Sequence, residues 1–188
     1  MTIPAAVLDS DVIFSRVLHE LMGRLALARF YRLIWSDELL AEAKRVLIRD
    51  KPLGDDVAER WVGYLSASFS DGRIDISSVA SNLDLSRFTS DPDDEHVCAL
   101  ALAGEASFLF TFDRGYLREP LSSHGVDVLE PDVFLSGLID QESLAVIDVL
   151  EEQRAAWQGG RPILELLDAF ERARCPVFAS KARQILSS

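Results

Sequence analysis

Short apolar segments alternate with helical segments along about two thirds of the chain, and this alternation limits the fold more than any other feature. The segments predicted to be strands are residues 3–8, 33–35, 73–76, 108–112 and 126–129. Strands that alternate with helices pair in parallel, and a parallel sheet is normally covered by helices on both faces. The sequence therefore predicts an α/β fold in three layers, α/β/α, around a central parallel sheet.

Helices are predicted between these strands at four places. Residues 12–31 are rich in helix-forming residues, with a break expected at Gly23. Ser36 suits the N-cap of a helix that runs to about Arg49, because its hydroxyl can accept a hydrogen bond from the first turn. Two further helices are expected within residues 52–69 and within residues 92–104.

From about residue 132 onward, the chain contains only helical segments. They are predicted at residues 132–140, 142–157, 162–174 and 176–186. Breaks are expected at Gly159-Gly160 and at Cys175-Pro176, where glycine and proline interrupt the pattern. We therefore predict an α/β domain at residues 1–134 and a helical C-terminal extension at residues 135–188.

The chain is acidic, with 31 acidic and 19 basic residues and a net charge of −12. Proteins that bind nucleic acid over a wide surface are usually basic, so this balance argues against simple tracking along phosphates. It is compatible with a metal-dependent nuclease whose acidic cluster is neutralised by cations. A protein partner that covers such a cluster is expected to be basic. Taken alone, the charge is better explained by solubility.

Several features predict an intracellular protein, which we expect in the cytoplasm. The apolar runs are far shorter than the roughly 20 residues of a membrane-spanning helix, and the N-terminus lacks the basic segment of a signal peptide. Cys98 and Cys175 lie among apolar residues at no metal-binding spacing. We interpret them as reduced thiols in the core.

Two aspartates come directly after predicted strands. Asp9 follows the first strand and Asp113 follows the fourth. Ligands of open parallel sheets bind beyond the carboxyl ends of the strands, so the two carboxylates come within reach of one metal ion if these strands are neighbours. An aspartate at the end of a strand is also explained by a turn, and for either residue alone that explanation stays open.

Asp94 is a third candidate, because it heads the apolar stripe of a predicted helix. It lies at helical spacing from Val97 and Cys98, and a carboxylate at the edge of a buried stripe needs a partner. The alternative is helix capping, with Asp91 as the N-cap. The two are compatible, because Asp91 and Asp93 suit the cap while Asp94 faces the site. Asp91 is kept as a supporting residue.

Glu42 is a fourth candidate, in the helix that begins after Ser36. It lies nearer to the margin of the apolar stripe of this helix than Glu38 does. The alternative is a solvated side chain paired with Arg45 or Arg49, and for Glu42 alone that is the better explanation.

Four carboxylates at one edge of the sheet form an oxygen-rich site that suits Mg²⁺ or Mn²⁺. Asp9, Asp94 and Asp113 are the predicted metal ligands, and Glu42 completes the metal shell or orients the water. One or two bound cations lower the pKa of bound water and stabilise charge on a scissile phosphate. The sequence therefore predicts a metal-dependent hydrolytic centre.

Ser10 and Thr111 are predicted to hold these carboxylates in place through their hydroxyl groups. The histidines His19, His96 and His124 are scattered along the chain. We interpret them as surface or structural residues, because they form no zinc-binding spacing with cysteine.

Four motifs in order make residues 3–134 resemble the PIN-domain family. They are Asp9-Ser10-Asp11-Val12 after the first strand, Ser36-Asp37-Glu38-Leu39-Leu40-Ala41-Glu42 at a helix start, Asp91-Pro92-Asp93-Asp94 at another, and Thr111-Phe112-Asp113-Arg114-Gly115-Tyr116-Leu117 after the fourth strand. Together, at fitting strand and helix positions, the four motifs are fairly specific.

The resemblance implies a PIN-like fold with the strand order 3-2-1-4-5 and a Mg²⁺-dependent endoribonuclease centre at Asp9, Glu42, Asp94 and Asp113. Many bacterial members are similar to VapC-type toxins, which pair with an antitoxin whose tail enters the acidic groove. For this chain the resemblance implies RNA as the substrate and an antitoxin with a basic or hydrophobic tail as the partner. A homodimer is left open.

The chain departs from the family pattern at two positions. Asp11 stands where the family more often has Asn, and it adds a candidate metal ligand. Phe112 stands where Gly is common, and it would narrow the mouth of the site. The helical extension lies outside the core resemblance.

Two other functions stay open at this point. Asp9-Ser10-Asp11-Val12 also fits the strand-end signature of haloacid-dehalogenase-like phosphatases, with Asp9 as the nucleophile and Asp11 as the acid or base. That class also needs a lysine and a second acidic motif, and neither is suitably placed here. The other alternative is a non-catalytic acidic docking module that binds a basic peptide.

Overall fold

The computed structural model describes residues 3–50, 54–157 and 161–187. Its strands are β1 (Ala5–Leu8), β2 (Arg32–Ile34), β3 (Phe108–Phe110) and β4 (Asp127–Leu129). They form a parallel sheet in the order β2-β1-β3-β4. The predicted α/β class with a central parallel sheet is confirmed.

The α-helices of the described residues are found before, between and after these strands. They are α1 (Ser10–Phe14), α2 (Arg16–Leu27), α3 (Asp37–Asp50), α4 (Asp55–Ser68), α5 (Ser77–Asn82), α6 (Glu95–Ala103), α7 (Arg118–Ser123), α8 (Pro131–Gln141), α9 (Ser143–Ala156), α10 (Ile163–Arg172) and α11 (Pro176–Leu186). Each C-terminal helix lies within two residues of its predicted bounds. The expected break at Gly159-Gly160 lies outside the described residues.

The chain forms two compact units, and neither is continuous in sequence. The first consists of Met1–Phe14 and Tyr31–Leu129, and the second of Ser15–Phe30 and Glu130–Ser188. The sheet belongs to the first unit, whereas α2 groups with the four C-terminal helices. The domain division at residue 134 stays a prediction.

The core of the first unit is centred on β1, all of whose residues are buried. In β1, Leu8 pairs with Phe110 of β3, and Phe110 pairs in turn with Leu129 of β4. The helix α6 packs on β1 with Val97–Ala101 fully buried, and α7 packs against β4. Because β1 and β3 are neighbours, the residues that follow them meet at one edge of the sheet.

The second unit is a helical assembly. The helix α2 packs against α9 and α10, and α11 packs against α8 and α10. The rings of Phe170 and Phe178 meet edge to face with centroids 5.4 Å apart. Cys175 is buried here and Cys98 is buried in the first unit, and both are free thiols as predicted. Within the described part of the chain, no helix is long and apolar enough to cross a bilayer.

The strand predicted at residues 73–76 is not formed, so that prediction was wrong. Arg73 makes only an isolated parallel bridge with Trp35, at the end of β2. The side chain of Asp75 then accepts a hydrogen bond from the Ser77 N–H at 2.9 Å, which turns the chain into α5. A single bridge thus occupies the place of the outermost strand in the expected order 3-2-1-4-5.

The helix break expected at Gly23 was also wrong. Gly23 lies inside α2, and the break lies at Ser15, whose extended backbone (φ −80°, ψ 106°) separates α1 from α2. A glycine inside a helix costs only about 1 kcal/mol, which the packing of α2 offsets. By contrast, Ser36 caps α3 as predicted, with its Oγ accepting from the Leu39 N–H at 3.3 Å.

Candidate active site

A cleft of about 340 Å³ lies at the edge of the sheet where β1 and β3 end. The carboxylates that line it are Asp9, Asp11, Glu42, Asp50, Asp94 and Asp113. The structure therefore brings together all four side chains predicted to be catalytic. Their catalytic and metal-binding roles stay predictions.

Asp9 is the most deeply placed of these carboxylates, with 3% of its surface exposed. Its Oδ1 accepts a hydrogen bond from the Ser10 N–H at 2.7 Å, and its Oδ2 accepts from the hydroxyls of Thr111 (2.7 Å) and Tyr116 (2.9 Å). Burial raises the pKa of Asp9, and these hydrogen bonds act in the opposite direction. Thr111 also accepts from the Asp113 N–H at 2.9 Å, so it links the residues that follow β1 and β3.

The two carboxylate oxygens of Asp11 differ in their contacts. Its Oδ2 accepts from the Phe112 N–H at 2.8 Å. Its Oδ1 is buried and has no hydrogen-bond donor among the described residues. Burial, and then the neighbouring charge of Asp9, raise the pKa of Asp11 to about 7.

Asp94 ends a short 3₁₀ turn, Pro92–Asp94, directly before α6. Its Oδ2 is buried and, within the described residues, no donor reaches it. Burial, followed by the charges of Asp9 and Asp113, raises the pKa of Asp94 to about 7. Asp91 caps this turn by accepting from the Asp93 N–H at 3.0 Å; its side chain is exposed, outside the set that lines the cleft.

Gly115 keeps space open between two of the carboxylates. Its N–H donates to Asp113 Oδ1 at 2.5 Å. A Cβ atom at this position would lie 3.0 Å from Asp113 Oδ1 and 3.7 Å from Asp94 Oδ2. Because such contacts would fill the gap, the glycine leaves a small oxygen-lined cradle at this side of the cleft.

Glu42 is held from two sides. Its Oε1 accepts from the Ser10 hydroxyl at 3.1 Å, and its Oε2 lies 3.0 Å from Nε2 of His96. The second contact is an ion pair by distance, although its angle falls outside hydrogen-bond geometry. Burial by itself would raise the pKa of Glu42, but the His96 contact brings that pKa below its ordinary value.

Two family models match the chain in sequence. A model described as PIN domain matches residues 5–115, more than half of the chain. The chain belongs to the PIN domain family. A second model, described as VapC50 C-terminal domain, matches residues 131–184. No curated protein and no solved structure matches the chain.

The two matches identify this chain as a PIN-domain protein of the VapC type. The predicted three-layer α/β/α PIN-like fold class with a helical C-terminal extension is thereby confirmed. Proteins of this family are generally nucleases. The resemblance drawn from the four sequence motifs is therefore correct.

The rest of the PIN-domain cleft is less acidic. It is lined by Ser10, Phe14, Val46, Arg49 and Asp50. Arg49 is the one basic residue among the described residues that line the cleft, and its Nε lies 2.6 Å from Asp50 Oδ1. The alternative for Glu42 was a solvated side chain paired with Arg45 or Arg49. It is wrong, because Glu42 is largely buried with its ion pair to His96, and Arg49 pairs with Asp50.

The donor set of the cleft fits a hard divalent cation. All candidate ligands are carboxylate oxygens, and two of them, Asp11 Oδ1 and Asp94 Oδ2, are buried without donors in the described part of the chain. Mg²⁺ and Mn²⁺ prefer such ligands. Among the same residues, no three His, Cys, Asp or Glu side chains already converge on one ion position. The carboxylates would therefore have to approach one another as a cation binds, and the charge of the cation would offset the repulsion between them.

Sequence reasoning missed two residues of the PIN-domain site. Tyr116 stands inside the quoted motif that begins at Thr111, but nothing in the motif indicated that its hydroxyl reaches Asp9. His96 was interpreted as surface or structural, although it contacts Glu42. The signal that could have found His96 is its place two residues after Asp94, at the start of the same helix.

Proposed function

We propose that this VapC-type PIN-domain protein is a Mg²⁺-dependent endoribonuclease that hydrolyses RNA phosphodiester bonds. We further propose that it acts in the cytoplasm as the toxin of a toxin–antitoxin pair. The observation that carries the proposal is the pair of buried carboxylate oxygens, Asp11 Oδ1 and Asp94 Oδ2, that lack donors among the described residues in a cleft lined by further carboxylates. Mn²⁺ is the alternative cation.

These two oxygens support a cation because buried polar atoms are nearly always satisfied. Leaving a buried acceptor without a donor costs about 1–3 kcal/mol, and more for a charged group. Burial and neighbouring negative charge also disfavour the ionised form of Asp11 and Asp94. A divalent cation would satisfy both oxygens and offset the repulsion, so the site is better explained as a cation site than as a structural cluster.

The side chains of the cleft have two proposed roles, to bind the cation and to act on the attacking water. Asp9, Asp94 and Asp113 would hold the cation, with Asp11 as an additional ligand. A bound divalent cation supplies activation of water and compensation of charge on the scissile phosphate. Glu42 is fixed at the wall of the cleft, where its carboxylate can orient the attacking water and accept a proton from it.

The partners follow from the charge of the cleft. A protein that covers six carboxylates must compensate them, so we propose an antitoxin whose basic or hydrophobic tail enters the cleft. Phe14 and Val46 provide apolar contacts in the cleft, and Arg49 provides one positive charge for an RNA phosphate. A homodimer is left open.

The two alternatives are less well supported. A haloacid-dehalogenase-like phosphatase needs a lysine near its nucleophile, and among the described residues that line the cleft there is none. The match to the PIN-domain model also favours a nuclease. A non-catalytic docking module would use the same carboxylates, so cleavage has to be measured.

The test is cleavage of structured RNA by the purified protein with Mg²⁺. We expect cleavage by the wild type, its loss with EDTA, and its loss in Asp9→Asn. Asp93→Asn is the matched control, because its exposed side chain carries the same charge outside the cleft. Equal cleavage by wild type and Asp9→Asn would point to a contaminating nuclease. A failure of the wild type on several RNAs would favour the docking module.

The toxin role needs a separate test in cells. Expression of the wild type should arrest growth, whereas expression of Asp9→Asn should not. Co-expression of the protein encoded by the adjacent gene should relieve the arrest. Relief without formation of a complex between the two proteins would contradict the proposed pairing.

A further inference from the structure

His96 stands beside the cleft and contacts the carboxylate that faces it from α3. Its Nε2 lies 3.0 Å from Glu42 Oε2, and its Nδ1 lies 2.8 Å from the backbone oxygen of Asp93. Both side chains are largely buried, each 19% exposed. The contact therefore links the start of α6, directly after Asp94, to the middle of α3.

The ring of His96 is held on two sides. Its Nδ1 lies close to the backbone oxygen of Asp93, and its Nε2 lies close to Glu42 Oε2. Because protein interiors are closely packed, a largely buried ring with contacts on both sides has few other orientations. His96 thus limits where the carboxylate of Glu42 can lie.

Glu42 is consequently restrained at both of its oxygens. Ser10 donates to Oε1 and His96 contacts Oε2. Ser10 follows Asp9 directly, and His96 lies two residues beyond Asp94. The orientation of Glu42 is therefore set by the same two segments that carry two of the proposed metal ligands.

We propose that His96 is a positioning residue of the nuclease centre. It fixes the orientation in which Glu42 assists hydrolysis. The inference rests on the proposed function, since it assigns a role within the same site.

The proposal predicts a selective loss when His96 is replaced by Asn. The kcat for RNA cleavage should fall about 10- to 100-fold, as for the loss of other groups that orient catalytic side chains, with little change in KM or in the melting temperature. A defect of folding would lower the melting temperature together with kcat.

His96→Gln tests whether a group at the place of Nε2 is enough to orient Glu42. The amide nitrogen of glutamine can reach the place of Nε2, whereas that of asparagine is closer to the place of Nδ1. We expect His96→Gln to retain kcat within about threefold of the wild type. His124→Asn is the matched control, because the Nδ1 of His124 also lies close to a backbone oxygen, 2.9 Å from that of Pro120.

The experiment combines steady-state cleavage and thermal melting of the four proteins. A kcat of His96→Asn within twofold of the wild type would overturn the proposal. So would parallel losses of kcat and melting temperature, or a kcat of His96→Gln as low as that of His96→Asn. If the wild type cleaves no RNA, the proposed function fails and this inference fails with it.

Discussion

The carboxylates of the cleft differ in how the protein satisfies them. Asp9 accepts three hydrogen bonds from protein groups, whereas Asp11 and Asp94 each have a buried oxygen without a donor among the described residues. A well-satisfied carboxylate depends little on a cation for its stability, but one with an unsatisfied oxygen depends on it strongly. The cation requirement should therefore be most apparent at Asp11 and Asp94.

Replacing Asp94 with Asn should weaken Mg²⁺ binding about tenfold or more, since a lost charge contact at a buried site costs on the order of 1.4 kcal/mol or above. Replacing the neighbouring Asp93 should change it less than about twofold, because exposed charges are screened. Calorimetric titration of the two variants measures the difference. The reverse order of affinities would contradict the orientation of Asp94 toward the cleft.

Gly115→Ala tests the space between Asp94 and Asp113. The added Cβ would lie 3.0 Å from Asp113 Oδ1, so we expect weaker Mg²⁺ binding with little loss of stability. Gly137→Ala in α8 is the control, because its Cβ would meet nothing within 4 Å. Unchanged Mg²⁺ affinity in Gly115→Ala, measured by the same titration, would argue against a cation at this side of the cleft.

At the scale of elements, the sequence predicts regular segments well where one local signal dominates. Three of the four C-terminal helices begin at or directly after a proline (Pro131, Pro162 and Pro176), so their bounds could be predicted closely. The helices α5 and α7 have six residues each, which is too short for a periodic pattern. The strand predicted at residues 73–76 was wrong for another reason. Its sequence alternates between polar and apolar residues as in a strand, but Asp75 forms a turn with Ser77.

Some residues of the candidate site could likewise be predicted from a local signal, and others could not. Asp9, Asp94 and Asp113 could be predicted because they follow strands or begin a helix, and the strand order then brings them together. The contacts of Tyr116 with Asp9 and of His96 with Glu42 join residues 107 and 54 positions apart in sequence. Side-chain contacts of this kind depend on tertiary packing, for which a single sequence has no local signal.

The helix α4 provides a test of stability at the scale of one element. Gly63 lies within it, and an added Cβ would meet nothing within 4 Å. Gly63→Ala should therefore raise the free energy of unfolding by about 0.5–1 kcal/mol. Gly104→Ala should lower it, because its Cβ would collide with the side chain of Ile34. Urea unfolding compares the two, and a stabilised Gly104→Ala would contradict the close approach of Gly104 to Ile34.

For the whole molecule, one histidine is expected to make stability depend on pH. Burial lowers the pKa of His19 in α2 from 6.5 to about 4. Between these values the unfolded chain binds more protons than the folded one, so this contribution is complete above about pH 6.5 and is lost as the pH falls toward 4. Because the side chain is only half-buried, we expect a loss on the order of 1–3 kcal/mol.

His19→Gln isolates this contribution, because the carboxylates titrate in both proteins. Urea unfolding at pH 7.5 and at pH 5 should show a smaller loss of stability in His19→Gln than in the wild type. Equal losses in the two proteins would show that His19 is protonated as easily in the folded state as in the unfolded state.

The placement of α2 in the second unit has a consequence for biosynthesis. Its packing partner α9 begins at Ser143, more than a hundred residues after α2 ends at Leu27. At translation rates of about 5–20 residues per second, the apolar side of α2 leaves the ribosome on the order of ten seconds before α9 exists. Nascent chains of this protein should therefore engage chaperones early, and a ribosome that stalls after β4 would leave α2 without the helices against which it packs.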